Sequence, residues 1–380
     1  MLAATTRPLE PRVRETIESL LHEDPRDPDG LLADPWRVAG LLDRAREECG
    51  EAWDCPPGEI IFTSNGTESC NLALKGPALA LLSKGRPAGR IIVGATEHSS
   101  VLFPARTLRK LGFVVQEAPV DGEGLIRLDR LDDLLREPAL LVSIASMDGE
   151  TGCCQPMEEI AGMVHRNGAL LHVDACLSID RLPLGEARAG GDLVSISGHK
   201  LGGPRGTGAL IVRDGVRLLP LLEGGTEEGG RRGGAPFVAG IVGLGMAAGI
   251  VAREGVRRRE RLRQVSRSLE AGLSRVESVA VNGSRERCAP GMINLSAGGV
   301  DGEALQTLLA QRGIFVSSGS SCFQETGKPS HVLTAMGLDP ALARGSLLFA
   351  PQFDVTNEEI ERTVVAYGEA VAALRRIAGR

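Results

Sequence analysis

Short apolar runs that alternate with longer amphipathic stretches predict an α/β protein, with a mainly parallel sheet covered by helices and a smaller α+β unit after it. Two further observations support this class. The chain has 380 residues, which suits two units of about 100–250 residues better than one core. With 42% hydrophobic and 24% charged residues its composition is globular, neither disordered nor fibrous.

Buried strands are expected at Ile60-Ile61-Phe62, Ile91-Ile92-Val93, Val114-Val115, Leu140-Leu141-Val142, Leu170 to Val173, Leu193 to Ile196 and Ala209 to Val212. Each run is too short for a helix. Between them, helices are expected over Trp36 to Gly50, Glu68 to Lys84, Ser99 to Leu111, Leu128 to Arg136 and Pro156 to Asn167. Most begin near Asp, Glu or Pro and end at Gly or Asn, as capping and the helix dipole favour. A glycine-rich loop, Glu223 to Gly234, precedes a long arginine-rich helix from about Ile241 to Leu273. A boundary near residue 250 then gives a large domain, 10–250, and a small one, 251–380 together with 1–9. The small domain is expected to hold apolar runs at Met292 to Leu295 and Ile314 to Val316. Its helices are expected at Gly302 to Arg312, Pro329 to Met336 and Asn357 to Ile377.

The net charge of −6 supplies no electrostatic footprint for nucleic acid, and Arg257-Arg258-Arg259 reads as a solvated helix face. The start, MLAATTRPLEPRVRE, lacks a basic segment followed by an apolar one, and no apolar run approaches the ~20 residues of a membrane helix. A cytoplasmic protein is expected, with no nucleic acid, membrane or metal in its function. The eight cysteines show no zinc spacing and read as reduced thiols, most of them, including Cys70 and Cys176, as small buried hydrophobes.

Five segments carry candidate chemistry. Ser195-Ile196-Ser197-Gly198-His199-Lys200 follows a strand, and Lys200 there is suited to a Schiff base, although an exposed loop lysine fits the same pattern. Leu170 to Asp174 is a strand ending in a carboxylate, where open α/β sheets bind ligands and where a helix cap is also at home. Thr63 to Ser69 runs from a strand through a small-residue turn into a helix, whose free N–H groups and Thr67 hydroxyl suit an anion or an ordinary helix start. His98 again follows a strand and could stack on an aromatic cofactor or serve structure alone. Cys322 lies in the small-residue loop Ser317 to Phe323, with no cationic sequence neighbour to lower its pKa.

Taken in order, IIFTSNGTESCNLALKG, ATEHSSV, LLHVDA, SISGHKLGGPRGTGALIV, SSGSSC and TNEEI resemble the cysteine desulfurases of the NifS and IscS kind, within the class V branch of pyridoxal phosphate (PLP) enzymes of fold type I. The resemblance runs from about Ala4 to about Glu359. It implies that Lys200 carries PLP, that His98 stacks on the ring and assists proton transfer, and that Asp174 pairs with the pyridine nitrogen. It further implies that Gly66, Thr67, Ser197 and His199 hold the phosphate and that Cys322 takes the sulfur of L-cysteine as a persulfide, releasing alanine. A homodimer and a sulfur-acceptor protein are implied as partners.

The chain departs from that pattern at defined places. Leu177 stands where the family has a glutamine that bonds the phenolic oxygen, and Gly149 where it has the second Asn of an Asn-Asn-Glu turn. Arg232-Gly233-Gly234 replaces a Ser-Gly-Thr that reaches the partner's phosphate. Leu348 occupies the place of the arginine that grips the substrate carboxylate, with Arg344, Arg231 or Arg232 as conceivable substitutes. Leu2 to Thr6 lacks the family's preceding acid, and Glu23 to Pro28 replaces its Asn-Pro-x-Ser loop. A charge-assisted carboxylate contact is worth roughly 1.5–3 kcal/mol, so its loss predicts cysteine use lower by about one to two powers of ten. The expected function is a cysteine desulfurase of low or specialised activity. The alternatives are a PLP lyase or aminotransferase-like enzyme on another amine, or a non-catalytic binding paralogue.

Overall fold

The computed structural model describes residues 7–23, 34–318 and 329–379. Cys322, the Leu2 to Thr6 segment and the Asp24 to Pro28 segment lie outside them.

Strands β1 (Ile60–Thr63), β2 (Arg90–Gly94), β3 (Val114–Ala118), β4 (Leu141–Ala145), β5 (Leu170–Asp174), β6 (Leu193–Ser197) and β7 (Gly208–Val212) form a seven-stranded sheet in the order β1-β7-β6-β5-β4-β2-β3. β7 runs antiparallel to both neighbours, and the remaining pairs are parallel. The α/β class read from the sequence is therefore the observed one. The central strands are buried along nearly their whole length because helices cover both faces, which is why they read as unbroken apolar runs. At the sheet edge β3 is half-buried, with Val114 exposed.

Strands β8 (Val279–Asn282), β9 (Ile293–Ala297) and β10 (Ser346–Phe349) form a second, antiparallel sheet in the order β10-β9-β8. Leu295, Leu305, Leu347, Phe349 and Tyr367 pack its core, and the Phe349 and Tyr367 rings meet edge to face at 5.6 Å. Helix Val238–Leu273 serves both cores: Ala247, Ala248 and Ile250 belong to the first, Val265, Leu269 and Leu273 to the second.

Several expectations need correction. The run Ile314 to Val316 forms no strand; the contact there is an isolated bridge from Ser317 to Leu348. Helix Pro11–His22 and strands β8 and β10 were not anticipated. Arg258 is not solvated: it is buried, bonds Glu254 at 2.6 Å and Glu10 at 3.1 Å, and lies over the Phe353 ring. Helix Val238–Leu273 is long and apolar enough to cross a membrane by length and composition, whereas the sequence reading found no such run. Its uncharged stretch ends at Arg253, and 61% of the apolar window is buried inside the protein, as in a core helix. At the other end of the chain, Arg7 pairs with Asp180 at 2.7 Å, donates its backbone N–H to His199 O and lies over Phe353.

Candidate active site

The carboxyl ends of β1, β2, β4, β5 and β6 open on one cavity of about 270 Å³. Its lining includes Gly66, Thr67, His98, Asp174, Ser197, His199 and Lys200, so seven residues singled out from sequence share one chamber. Open α/β sheets bind ligands at this edge because helix N-termini and strand-end side chains converge there.

From β1 the chain passes through Asn65 into helix Gly66–Leu82. The Asn65 side chain accepts from the Glu68 N–H at 2.9 Å, and Glu68 Oε2 accepts from the Ser64 N–H at 2.7 Å. The first N–H groups of this helix are thus presented to the cavity beside the Thr67 hydroxyl. Gly66 has to be glycine, since a Cβ there would lie 2.5 Å from Cys176 Sγ.

His98 caps helix Ser99–Lys110. Its Nδ1 accepts from the Ser100 N–H at 3.1 Å and lies 2.8 Å from Ser100 Oγ. A neutral ring so engaged carries its proton on Nε2, the nitrogen left to serve the cavity. Burial, and then the nearby Lys200, hold the His98 pKa below its ordinary value despite Asp174. Beside it, Glu97 is buried, accepts from the Ala145 N–H at 2.7 Å and has its pKa driven well up by desolvation.

β5 delivers Asp174, 9% exposed. One carboxylate oxygen accepts from the Cys176 N–H at 2.9 Å and the other from the Cys70 thiol at 3.4 Å. Beneath it, a buried relay that the sequence reading missed crosses three strands: Ser143 Oγ to His172 Nδ1 at 2.8 Å and His172 Nε2 to Ser195 Oγ at 2.9 Å. Burial lowers the His172 pKa to about 4, so the imidazole is neutral at pH 7. Ser143 and His172 gave no motif, but as polar residues inside apolar strands they were the available signal.

β6 ends at Ser197, whose Oγ lies 3.0 Å from His199 Nδ1, and the helical turn Gly198–Lys200 follows. Gly198 permits this turn because a Cβ would strike Thr207 Oγ1. Desolvation, then Lys200 and Arg205, lower the His199 pKa to about 4.

The departures take definite positions. Gly149 and Leu177 line the cavity, making that wall apolar together with Met147 and Ala145. Leu348 is buried in β10 opposite Asn294 and is not part of the lining. None of the conceivable arginine substitutes lines it either. Arg232 pairs with Glu68 at 3.1 Å, Arg231 donates to Glu228 O and Gly58 O, and Arg344 is exposed.

The arrangement suits a phosphorylated pyridine aldehyde. It joins an amine, a buried carboxylate, an imidazole, and an anion site built from a helix start, hydroxyls and His199. Residues 3–362 match the family described as aminotransferase class-V. A cysteine desulfurase IscS of Dictyoglomus turgidum is 36% identical over 98% of this chain and 94% of its own length. A cysteine desulfurase IscS 1 of Archaeoglobus fulgidus is 35% identical over 98% and 96%. A solved NifS-like protein superposes with a TM-score of 0.88 at 31% identity, covering 97% of this chain and 98% of that one. The chain belongs to the aminotransferase class-V family and, within it, to the cysteine desulfurases, which work with PLP.

Proposed function

We propose that this chain converts L-cysteine to L-alanine and holds the released sulfur on Cys322 for transfer to an acceptor protein. The observation that carries the reading is the single cavity shared by Lys200, Asp174, His98 and the Gly66, Thr67, Ser197 and His199 group. The residues fit PLP: a Cβ at Gly66 would fill the cradle, and Asp174 offers a buried, hydrogen-bonded carboxylate at its floor.

In this reading Lys200 holds the cofactor, Asp174 pairs with its ring nitrogen, and Gly66, Thr67, Ser197 and His199 hold its phosphate. Bound PLP supplies an electron sink for cleavage at the substrate α and β carbons. His98, in the cavity lining, would hold a transferable proton on Nε2 beside the cofactor. The Cys322 thiolate attacks the substrate sulfur and forms the S–S bond; the C–S bond breaks with its electron pair going to the substrate β carbon, which takes up a proton, and alanine leaves. With leucine at position 348 the substrate carboxylate lacks the family's guanidinium, so turnover is low or specialised. The working unit is a cytoplasmic homodimer.

Mass spectrometry of the protein after exposure to L-cysteine tests this. The peptide bearing Cys322 gains one sulfur atom in the unmodified protein and none in Lys200→Ala. An unmodified Cys322 peptide in PLP-loaded protein would remove the sulfur-transfer reading and favour the lyase alternative.

A further inference from the structure

Cys70, Asp174 and Cys176 converge from two elements. Each can offer an atom such that the three lie within 4.8 Å of one another. The Cys70 thiol donates to one Asp174 oxygen at 3.4 Å, and the Cys176 N–H fixes the other at 2.9 Å. Cys70 is fully buried. At metal centres such a hydrogen bond to a ligating carboxylate orients the ligand.

Tetrahedral zinc takes thiolate sulfur at about 2.3 Å and carboxylate oxygen at about 2.0–2.2 Å, which puts two sulfurs about 3.8 Å apart. A contraction of about 1 Å at most closes the observed cluster onto one ion. The open side is the cavity, lined by Asp174 and Cys176, which leaves a fourth position for water. We propose that Cys70, Asp174 and Cys176 form a binding site for one thiophilic divalent cation of the zinc class, which competes with PLP for this pocket. Binding releases one proton from each thiol to solvent and changes no oxidation state. A cation on Asp174 withdraws the carboxylate from the ring nitrogen and repels its protonated form. The inference rests on the reading that PLP binds against Asp174.

The test titrates the full chain, stripped of PLP, with Cd2+ as the probe, following thiolate charge-transfer absorption and counting bound metal after gel filtration. The unmodified chain should bind one equivalent more than Cys70→Ala or Cys176→Ala. Affinity at that site should fall more than tenfold, the lower end of what even an outer partner's loss costs. The isosteric Cys70→Ser and Cys176→Ser run alongside, and PLP uptake in metal-free buffer reports folding of every variant. Bound Cd2+ should slow PLP uptake at least tenfold in the unmodified chain only. Equal metal counts in all proteins, or PLP uptake undisturbed by the bound ion, would overturn the proposal. Failure of the metal-free unmodified protein to take up PLP would overturn the cofactor reading instead, while the metal count still decides the cation site.

Discussion

Gly149 and Leu177 meet at the cavity wall: a Cβ on Gly149 would stand 3.0 Å from Leu177 Cδ1. Two departures from the family pattern, far apart in sequence, are therefore one change of shape. Leucine occupies room that an asparagine side chain at position 149 would need, and polar contacts on that wall give way to apolar ones.

This coupling is measurable by a double-mutant cycle. Gly149→Asn alone should lower PLP retention and thermal stability by crowding Leu177. Adding Leu177→Gln, which bends away more readily and can pair with the new amide, should restore part of the loss, with a coupling of about 0.5–3 kcal/mol. Additive effects would show that the two positions are independent.

His98 serves both helix and chemistry, and substitution can separate the two. Removing its cap to Ser100 in His98→Ala should cost about 1 kcal/mol of stability. Turnover should fall roughly 10²–10⁴-fold through loss of the Nε2 proton. His98→Asn restores a capping acceptor, so Tm should recover while kcat does not. Recovery of both in His98→Asn would confine His98 to a structural role.

The half-buried Glu150 accepts from Ser330 Oγ at 2.6 Å, and desolvation of its carboxyl pushes the pKa up to about 8. A carboxyl whose folded pKa lies above its unfolded value binds more protons in the native state. Stability from this group is therefore present below about pH 4.5 and is lost as pH rises toward 8. Glu150→Gln keeps an acceptor for Ser330 and carries no charge. Relative to this variant the unmodified protein should lose stability between pH 6.5 and 8.5, a window above the depressed His172 and His199 titrations near 4. Parallel denaturant midpoints across that range would refute the shift.

Much of this site was legible because its residues sit at strand ends, where a short apolar run stops at Asp174, at Ser197 or before His98, and each signal is local. What stayed hidden depends on contacts between distant segments. β8 is a half-exposed Val-Ala-Val-Asn, and β10 is an apolar run beside Gly345 whose partner lies some fifty residues earlier. Arg258 looked solvated because its partners Glu10 and Phe353 are remote in sequence. The relay through His172 and the Cys70 to Asp174 contact were invisible for the same reason: three strands must lie side by side before the first exists, and a strand and a helix before the second.

The central claim is tested most directly by alanine release from L-cysteine by PLP-loaded protein, run beside Cys322→Ala. Alanine is expected from the unmodified protein and its loss in Cys322→Ala, with the cofactor absorbance kept in both. No alanine from either protein, with that absorbance present but unmoved by cysteine, would contradict it.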